Sequence, residues 1–172
     1  TFNISLLGDQ GAGKTGVLRG WAEQVINRGD RCVLHDAKGD LTACLPIENF
    51  MLLAPSDARG WMWEIGRDVI NTADAREVAI KLVPKNTSGE AMWADSARAL
   101  LIGIISALQK KHGIKWDWTH LFQAVFLAPR ELHMMLREAG SPAESLLFTD
   151  GNDELGRTSQ SILLTLWVSA LT

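Results

Sequence analysis

The sequence predicts an α/β fold over its first 60 residues, followed by an all-α region. Phe2, Ile4 and Leu6 alternate with polar residues, which is the pattern of a β-strand. A glycine-rich loop and apolar residues at helical spacing follow over 18–26, and short apolar runs at 32–34 and 50–54 are interpreted as two more strands. Strand, helix and strand with a short return predict parallel strands. We therefore predict a partial parallel sheet in residues 1–60 and an all-α domain in residues 61–172.

Helical periodicity dominates the sequence after Gly60. Apolar residues recur every three or four positions in five segments, which predicts helices at 78–82, 93–112, 121–126, 132–139 and 155–170. Gly29, Gly113 and Gly140 are placed to end helices. Ser141-Pro142-Ala143-Glu144 has the pattern of a capping box with proline at the first helical position.

Composition restricts the classes of function. The net charge is −3, and neither half is basic, which argues against a large self-contained nucleic-acid surface. Cys32 and Cys44 have no zinc-site spacing, so we expect free thiols in a reducing compartment. The longest apolar run, 100–108, is too short to cross a bilayer, so we expect a soluble chain. Because it opens inside a predicted strand without Met, we interpret it as a piece of a longer protein.

A phosphate-binding motif lies between the first predicted strand and the first predicted helix. Residues 8–15 read G-D-Q-G-A-G-K-T, which fits G-x-x-x-x-G-K-[ST]. The predicted nucleotide-binding residues are Gly8, Asp9, Gln10, Gly11, Ala12, Gly13, Lys14, Thr15 and Gly16. In this motif backbone N–H groups surround phosphate oxygens, the lysine reaches the β- and γ-phosphates, and the threonine hydroxyl holds Mg²⁺. The motif thus predicts ATP and Mg²⁺ as cofactors, Lys14 as catalytic and Thr15 as the metal ligand; a glycine-rich turn with a chance lysine is the alternative.

Asp36 is the second candidate catalytic residue, because it ends the second predicted strand and strand ends face the ligand in such sheets. Three interpretations stay open. Asp36 is the acid on the Mg²⁺ side, or it orients water or the loop without touching the metal, or residues 38–40 form an ordinary polar turn. No apolar strand ending in Asp-Glu follows, so the glutamate of hydrolytic phosphate-loop enzymes is not found.

The tryptophans and some cations of the second half have two interpretations each. Burial in helix packing is favoured over stacking on bases for Trp61, Trp63, Trp93, Trp116, Trp118 and Trp167. We expect one of the two that flank Asp117 to be exposed. A solvated last turn is favoured over phosphate contact for residues 110–112, and nothing in the spacing singles out Arg98 or Arg157 as meeting a neighbour's nucleotide.

An ordered set of segments resembles the type IV secretion coupling proteins, the TraD/TraG-type ATPases of bacterial conjugation, which are grouped with the FtsK and HerA DNA pumps. The matching segments span nearly the whole chain and are the loop at 8–15, VLHDAKGDL at 33–41, LAPSDARGW at 53–61, WADSARALL at 93–101, AESLLF at 143–148 and the helix at 159–169. Ala54 stands where the family usually has Asn, and Ala37 where it often has Pro.

The resemblance implies a RecA-like nucleotide-binding domain with an inserted all-α domain. It also implies a DNA-dependent ATPase at the cytoplasmic face of the bacterial inner membrane. Such proteins form homo-hexamers that feed single-stranded DNA and its relaxase to the type IV secretion channel. The family's membrane helices, Walker B strand and arginine finger are absent from these 172 residues, so we expect this chain alone to be inactive in hydrolysis.

Two other classes of function remain open from the sequence. A small phosphate-loop kinase would use Asp36 as metal ligand and the all-α half as a lid, although residues 84–96 contain no arginine. A non-catalytic, nucleotide-gated interaction module is the second alternative.

Overall fold

The computed structural model describes residues 4–45, 51–54, 57–84, 91–148 and 154–171. It divides the chain into two compact units, Thr1–Met62 and Trp63–Thr172. The described residues form these helices in chain order: α1 (Lys14–Asn27), α2 (Ile65–Asp68), α3 (Thr72–Leu82), α4 (Ala91–His112), α5 (Trp118–Val125), α6 (Pro129–Glu138) and α7 (Arg157–Ala170), with 3₁₀ segments at Gly113–Lys115 and Pro142–Leu146.

The predicted sheet is wrong for the described part of the chain. The extended segments at 4–9, 31–36 and 51–54 form no strand; Phe2, Asn3 and Phe50 of the predicted strands lie outside the described residues. Alternating apolar residues show which face a strand would bury, but a strand also needs a neighbour to complete its hydrogen-bond ladder. Here the apolar side chains are uncovered: Ile4 is 75% and Val33 99% exposed. The described residues therefore contain no RecA-like sheet.

Helix α1 ends where the sequence predicts, at Gly29. The chain turns there through a positive φ of 74°, which glycine adopts without strain. The Gly29 N–H donates to Ile26 O at 2.9 Å and the Asp30 N–H to Val25 O at 3.1 Å, which is the Schellman pattern. Two carbonyls in the last turn of α1 are thereby satisfied.

The second unit is built around α4. This helix contacts α3, α5, α6, α7 and both 3₁₀ segments. Its inner face, which includes Leu100, Leu101, Ile104 and Ile105, is fully buried. The predicted helices of the second half are confirmed, whereas the four-residue α2 was not predicted.

The stretch Ala91–Lys115 is long and apolar enough to span a membrane, judged by length and composition alone and over the described residues. Half of its most apolar window is buried within the protein, as in the central helix of a helical domain. The apolar run at 100–108, from which the sequence predicts a segment too short to cross a bilayer, covers only part of this longer helical stretch.

The predicted capping box at Ser141 forms only in part. The Ser141 side chain accepts from the Ala143 N–H, and Pro142 begins a 3₁₀ helix. In a full capping box the Glu144 side chain would accept a hydrogen bond from the Ser141 N–H. Here the Ser141 N–H donates instead to Leu136 O, at the end of α6, at 2.9 Å. The two helix ends therefore share one residue.

Candidate nucleotide-binding site

The loop at 8–15 folds back on itself immediately before α1. Gly11 and Gly13 have positive φ angles of 85° and 80°, where residues with a Cβ are strained. The Ala12 N–H donates to Asp9 O at 3.2 Å. A side chain at Gly8 would lie 3.2 Å from the Ala12 Cβ, so the two ends of the curl approach closely. Gly13, which the motif fixes, and Gly11, at a variable position of the motif, thus lie where the backbone favours glycine, and Gly8 lies where a side chain would be crowded.

Lys14 lies over this loop. Its Nζ donates to the carbonyl oxygens of Gly8 and Asp9, both at 2.6 Å. The ammonium is therefore held beside the curled backbone, at the first residue of α1. This position places a full positive charge next to the positive end of the helix dipole.

The start of α1 has no internal cap. Gly13 supplies no side-chain hydrogen bond, and the first turn contains no acidic residue. The first amides of a helix have no partner within it, so the N–H groups of residues 14–16 are available to an anion. Thr15 is exposed, and its hydroxyl makes no hydrogen bond with the described residues. The arrangement can bind a phosphate and leaves one hydroxyl for a cation.

Asp36 is used by its own turn. Its two carboxylate oxygens accept hydrogen bonds from the Gly39 N–H at 3.0 Å, the Thr42 N–H at 2.8 Å and the Thr42 hydroxyl at 2.9 Å. The Thr42 amide is the main reason that the pKa of Asp36 lies below its ordinary value. No hydrogen bond or ion pair joins Asp36 to loop residues 8–15 within the described chain. The structure therefore brings Lys14 to the loop but does not bring Asp36 there.

The other predicted candidates are divided between packing and surface. Trp116 is 1% exposed, as burial predicts, but Trp61 and Trp63 are 64% and 43% exposed, so burial was wrong for these two. Arg98 donates to Val83 O at 2.8 Å and to Asp95 at 3.1 Å within its own unit. Sequence reasoning missed the tilted ring contact between His112 and His120, because residues eight apart across a helix end give no periodic signal.

A broad depression of about 1190 Å³ lies in the first unit. Its walls come from the end of α1, from residues between 29 and 45, from residues 51–54, and from Asp57 and Arg59. They include Asp36 and Thr42. The phosphate loop does not line it. The depression therefore adds no group to the candidate phosphate site.

Comparison with known proteins places the chain in a class. Residues 1–171 match the family described as the type IV secretion-system coupling protein DNA-binding domain. The chain belongs to this family, which confirms the resemblance stated from the sequence.

Individual relatives agree with this assignment. The chain is 30% identical over 99 residues to coupling protein TraD of Escherichia coli K12, a match that covers 57% of this chain and 14% of TraD. It is similar to the bacterial conjugative coupling protein TrwB in its unbound form, with a TM-score of 0.70, 27% identity, and coverage of 95% of this chain and 38% of TrwB.

TrwB has also been solved with nucleotides. Its complex with ADP and Mg²⁺ matches at a TM-score of 0.70 and 28% identity over 95% of this chain and 39% of TrwB. Its complex with the non-hydrolysable GTP analogue GDPNP matches at 0.70 and 27% over 95% and 38%. The chain thus spans well under half the length of each of these relatives.

Proposed function

We propose that this chain is the ATP-binding part of a conjugative coupling protein, a motor that feeds single-stranded DNA and its relaxase to a type IV secretion channel. The observation that carries the proposal is the loop at 8–15. Its left-handed glycines, the Lys14 ammonium over its carbonyls and the uncapped start of α1 together make a site for phosphate. The nucleotide complexes of TrwB, a relative of the same fold, support the same function.

In this proposal the loop residues divide the work of holding Mg-ATP. The backbone N–H groups of Gly11 and of residues 13–16 surround the phosphates. Lys14 exchanges its two carbonyl partners for β- and γ-phosphate oxygens, which bind an ammonium more strongly because they carry charge. The Thr15 hydroxyl holds Mg²⁺. Residues 1–60 then serve nucleotide binding, and residues 61–172 form the all-α domain.

Asp36 receives a positioning role in this proposal. Its carboxylate oxygens accept hydrogen bonds from Gly39 and Thr42, which fix the carboxylate on its own turn, and no hydrogen bond joins it to the loop at 8–15 within the described chain. Holding the 36–42 turn is the role that its contacts support. This favours a role away from the metal over the metal-side acid.

Turnover requires groups beyond this chain. Phosphoryl transfer needs a carboxylate to orient water and a cation for the transition-state charge, and an arginine supplied by a neighbour is worth about 10³–10⁵ in rate. We propose that the whole protein is a homo-hexamer at the cytoplasmic face of the bacterial inner membrane, held there by segments outside these 172 residues. The family match over residues 1–171 favours this reading over a small kinase.

The experiment is a titration of the chain with a fluorescent ATP analogue and Mg²⁺. Lys14→Ala removes charge-assisted contacts that are worth roughly 1.5–3 kcal/mol, so we expect affinity to fall about tenfold to a hundredfold. Lys38→Ala is the matched control, because Lys38 is an exposed lysine of the same unit. Equal affinity of the two variants would refute the assignment of the loop.

A further inference from the structure

Two histidines meet where α4 ends and α5 begins. His112 is the last residue of α4, the 3₁₀ segment Gly113–Lys115 follows, and His120 lies in the first turn of α5. The centroids of the two imidazole rings are 4.6 Å apart, with an interplanar angle of 52°. Both side chains are partly exposed. The pair is therefore accessible from solvent.

Asp117 fixes the tautomer of His120. Its Oδ1 accepts from the His120 backbone N–H at 2.9 Å and lies 2.6 Å from the His120 Nδ1. A carboxylate at this distance keeps the proton on Nδ1, so the lone pair of the neutral ring is on Nε2. Histidines that bind metals usually donate their other N–H to a carboxylate in this way, which orients the ring and makes it a better ligand.

His112 is also suited to coordinate. Its burial, the neighbouring His120 and the charge of Lys111 all lower the pKa of His112. A metal ligand needs a nitrogen lone pair, and the His112 side chain makes no cap hydrogen bond at the start of the 3₁₀ segment. The positive charge of Lys111 also repels a bound cation, so the metal binds more weakly than it would without Lys111.

We propose that His112 and His120 form a two-ligand site for a divalent first-row transition-metal ion, with Asp117 orienting His120. At a metal–nitrogen distance of about 2.0–2.1 Å, each ring centre would be about 3.2 Å from the ion. If the two metal–nitrogen bonds met at a right angle, the ring centres would be about 4.5 Å apart. The observed distance of 4.6 Å between the ring centres is close to this separation. Ligands at right angles to each other suit the square-planar or tetragonal coordination of Ni²⁺ or Cu²⁺ better than the tetrahedral coordination of Zn²⁺.

The site has two protein ligands, and water completes the coordination. No group of three or more His, Cys, Asp or Glu side chains suited to a metal occurs in the part of the chain that the structure describes. A bound ion would join the end of α4 to the start of α5. It would therefore stabilise the folded second unit, by an amount that rises with the logarithm of the ion concentration above the Kd.

The test is calorimetric titration of the whole chain with Ni²⁺, using the four histidines as their own controls. We expect one ion per chain in the wild type, loss of binding in His112→Gln and in His120→Gln, and full binding in His35→Gln and His133→Gln. Asp117→Asn keeps a residue type that caps helices well, and it should weaken binding about 10–100-fold.

A second readout locates the bound ion. Paramagnetic Ni²⁺ should broaden the imidazole resonances of His112 and His120 before those of His35 and His133. Circular dichroism checks that each variant keeps its helices. The proposal would be overturned if the wild type bound no Ni²⁺. It would also be overturned if saturable binding persisted in each of the two single variants, His112→Gln and His120→Gln.

Discussion

Asp36 shows how a single carboxylate can organise a turn. Three hydrogen bonds converge on it from Gly39 and Thr42, and they stabilise the ionised form. Its pKa is lower in the folded than in the unfolded chain. The resulting stability is fully present above the unfolded pKa, near 4, and is lost as the pH falls through the folded value.

Asp36→Asn should loosen this turn and leave nucleotide binding nearly intact. Asparagine offers one acceptor oxygen where aspartate offers two, so the Thr42 amide should exchange its hydrogen faster. Mg-ATP affinity should stay within a few-fold, and hydrolysis by a full-length coupling protein that carries the change should slow. Thr42→Val is the control that removes only the hydroxyl donor. A collapse of Mg²⁺-dependent binding would instead make Asp36 the metal-side acid.

Single residues were predicted best where the chemistry requires a fixed spacing. The pattern at 8–15 places Lys14 at the start of a helix, and the structure places its ammonium over the loop. The location of Asp36 beside Gly39 and Thr42 could not be predicted, because a side chain's partners in a turn depend on backbone geometry that composition does not encode. The contact between His112 and His120 was missed because the two residues lie on either side of a helix end, where no periodic pattern relates them.

Among the elements, helices were predictable and strands were not. A helix satisfies its own backbone, so the apolar period and stop signals such as Gly29 suffice to locate α1 and α4. The segments at 31–36 and 51–54 have the residues of strands, but a strand forms only against a partner. The short α2 has too few residues to show a period.

Close packing of α4 against the 3₁₀ segment Pro142–Leu146 predicts a cost for Gly103→Ala. A Cβ at Gly103 would lie 2.6 Å from the Ala143 Cβ and 2.8 Å from the Ser141 Oγ, so the helix or the segment must shift. We expect a loss of about 1–3 kcal/mol in the free energy of unfolding, measured by urea denaturation.

Gly20→Ala is the matched control for this prediction. Gly20 is also in the interior of a helix, but a Cβ there would meet nothing within 4 Å. Alanine is the better helix former by roughly 0.5–1 kcal/mol, so α1 should gain stability. Equal effects of the two substitutions would show that α4 and the 3₁₀ segment are not in close contact.

For the whole molecule, burial differs strongly between the two units. Within the described residues, Ala22 and Leu45 are the buried hydrophobic residues of the first unit, whereas the contiguous core lies in the second. Local opening costs least where few apolar contacts must be broken. The first unit should therefore be the less stable one in this chain.

Hydrogen exchange followed by mass spectrometry should separate the two units. Amides of α4 should exchange slowest, because its inner face is buried on several sides, and those of α1 should exchange faster. Mg-ATP analogue should slow exchange in residues 8–20 and leave α4 unchanged. Protection of α1 equal to that of α4 without nucleotide would contradict this division.

The most direct test of the central claim, a phosphate-loop site whose turnover depends on groups beyond this chain, is binding and turnover measured on one sample. The chain is titrated with a fluorescent ATP analogue, and steady-state phosphate release is then followed with and without single-stranded DNA. We predict saturable Mg²⁺-dependent binding that Lys14→Ala weakens, with phosphate release near background in both conditions. Absence of binding would contradict the phosphate site, and turnover of about one per second, the low end of ordinary enzymes, would show that these 172 residues already hold a complete catalytic set.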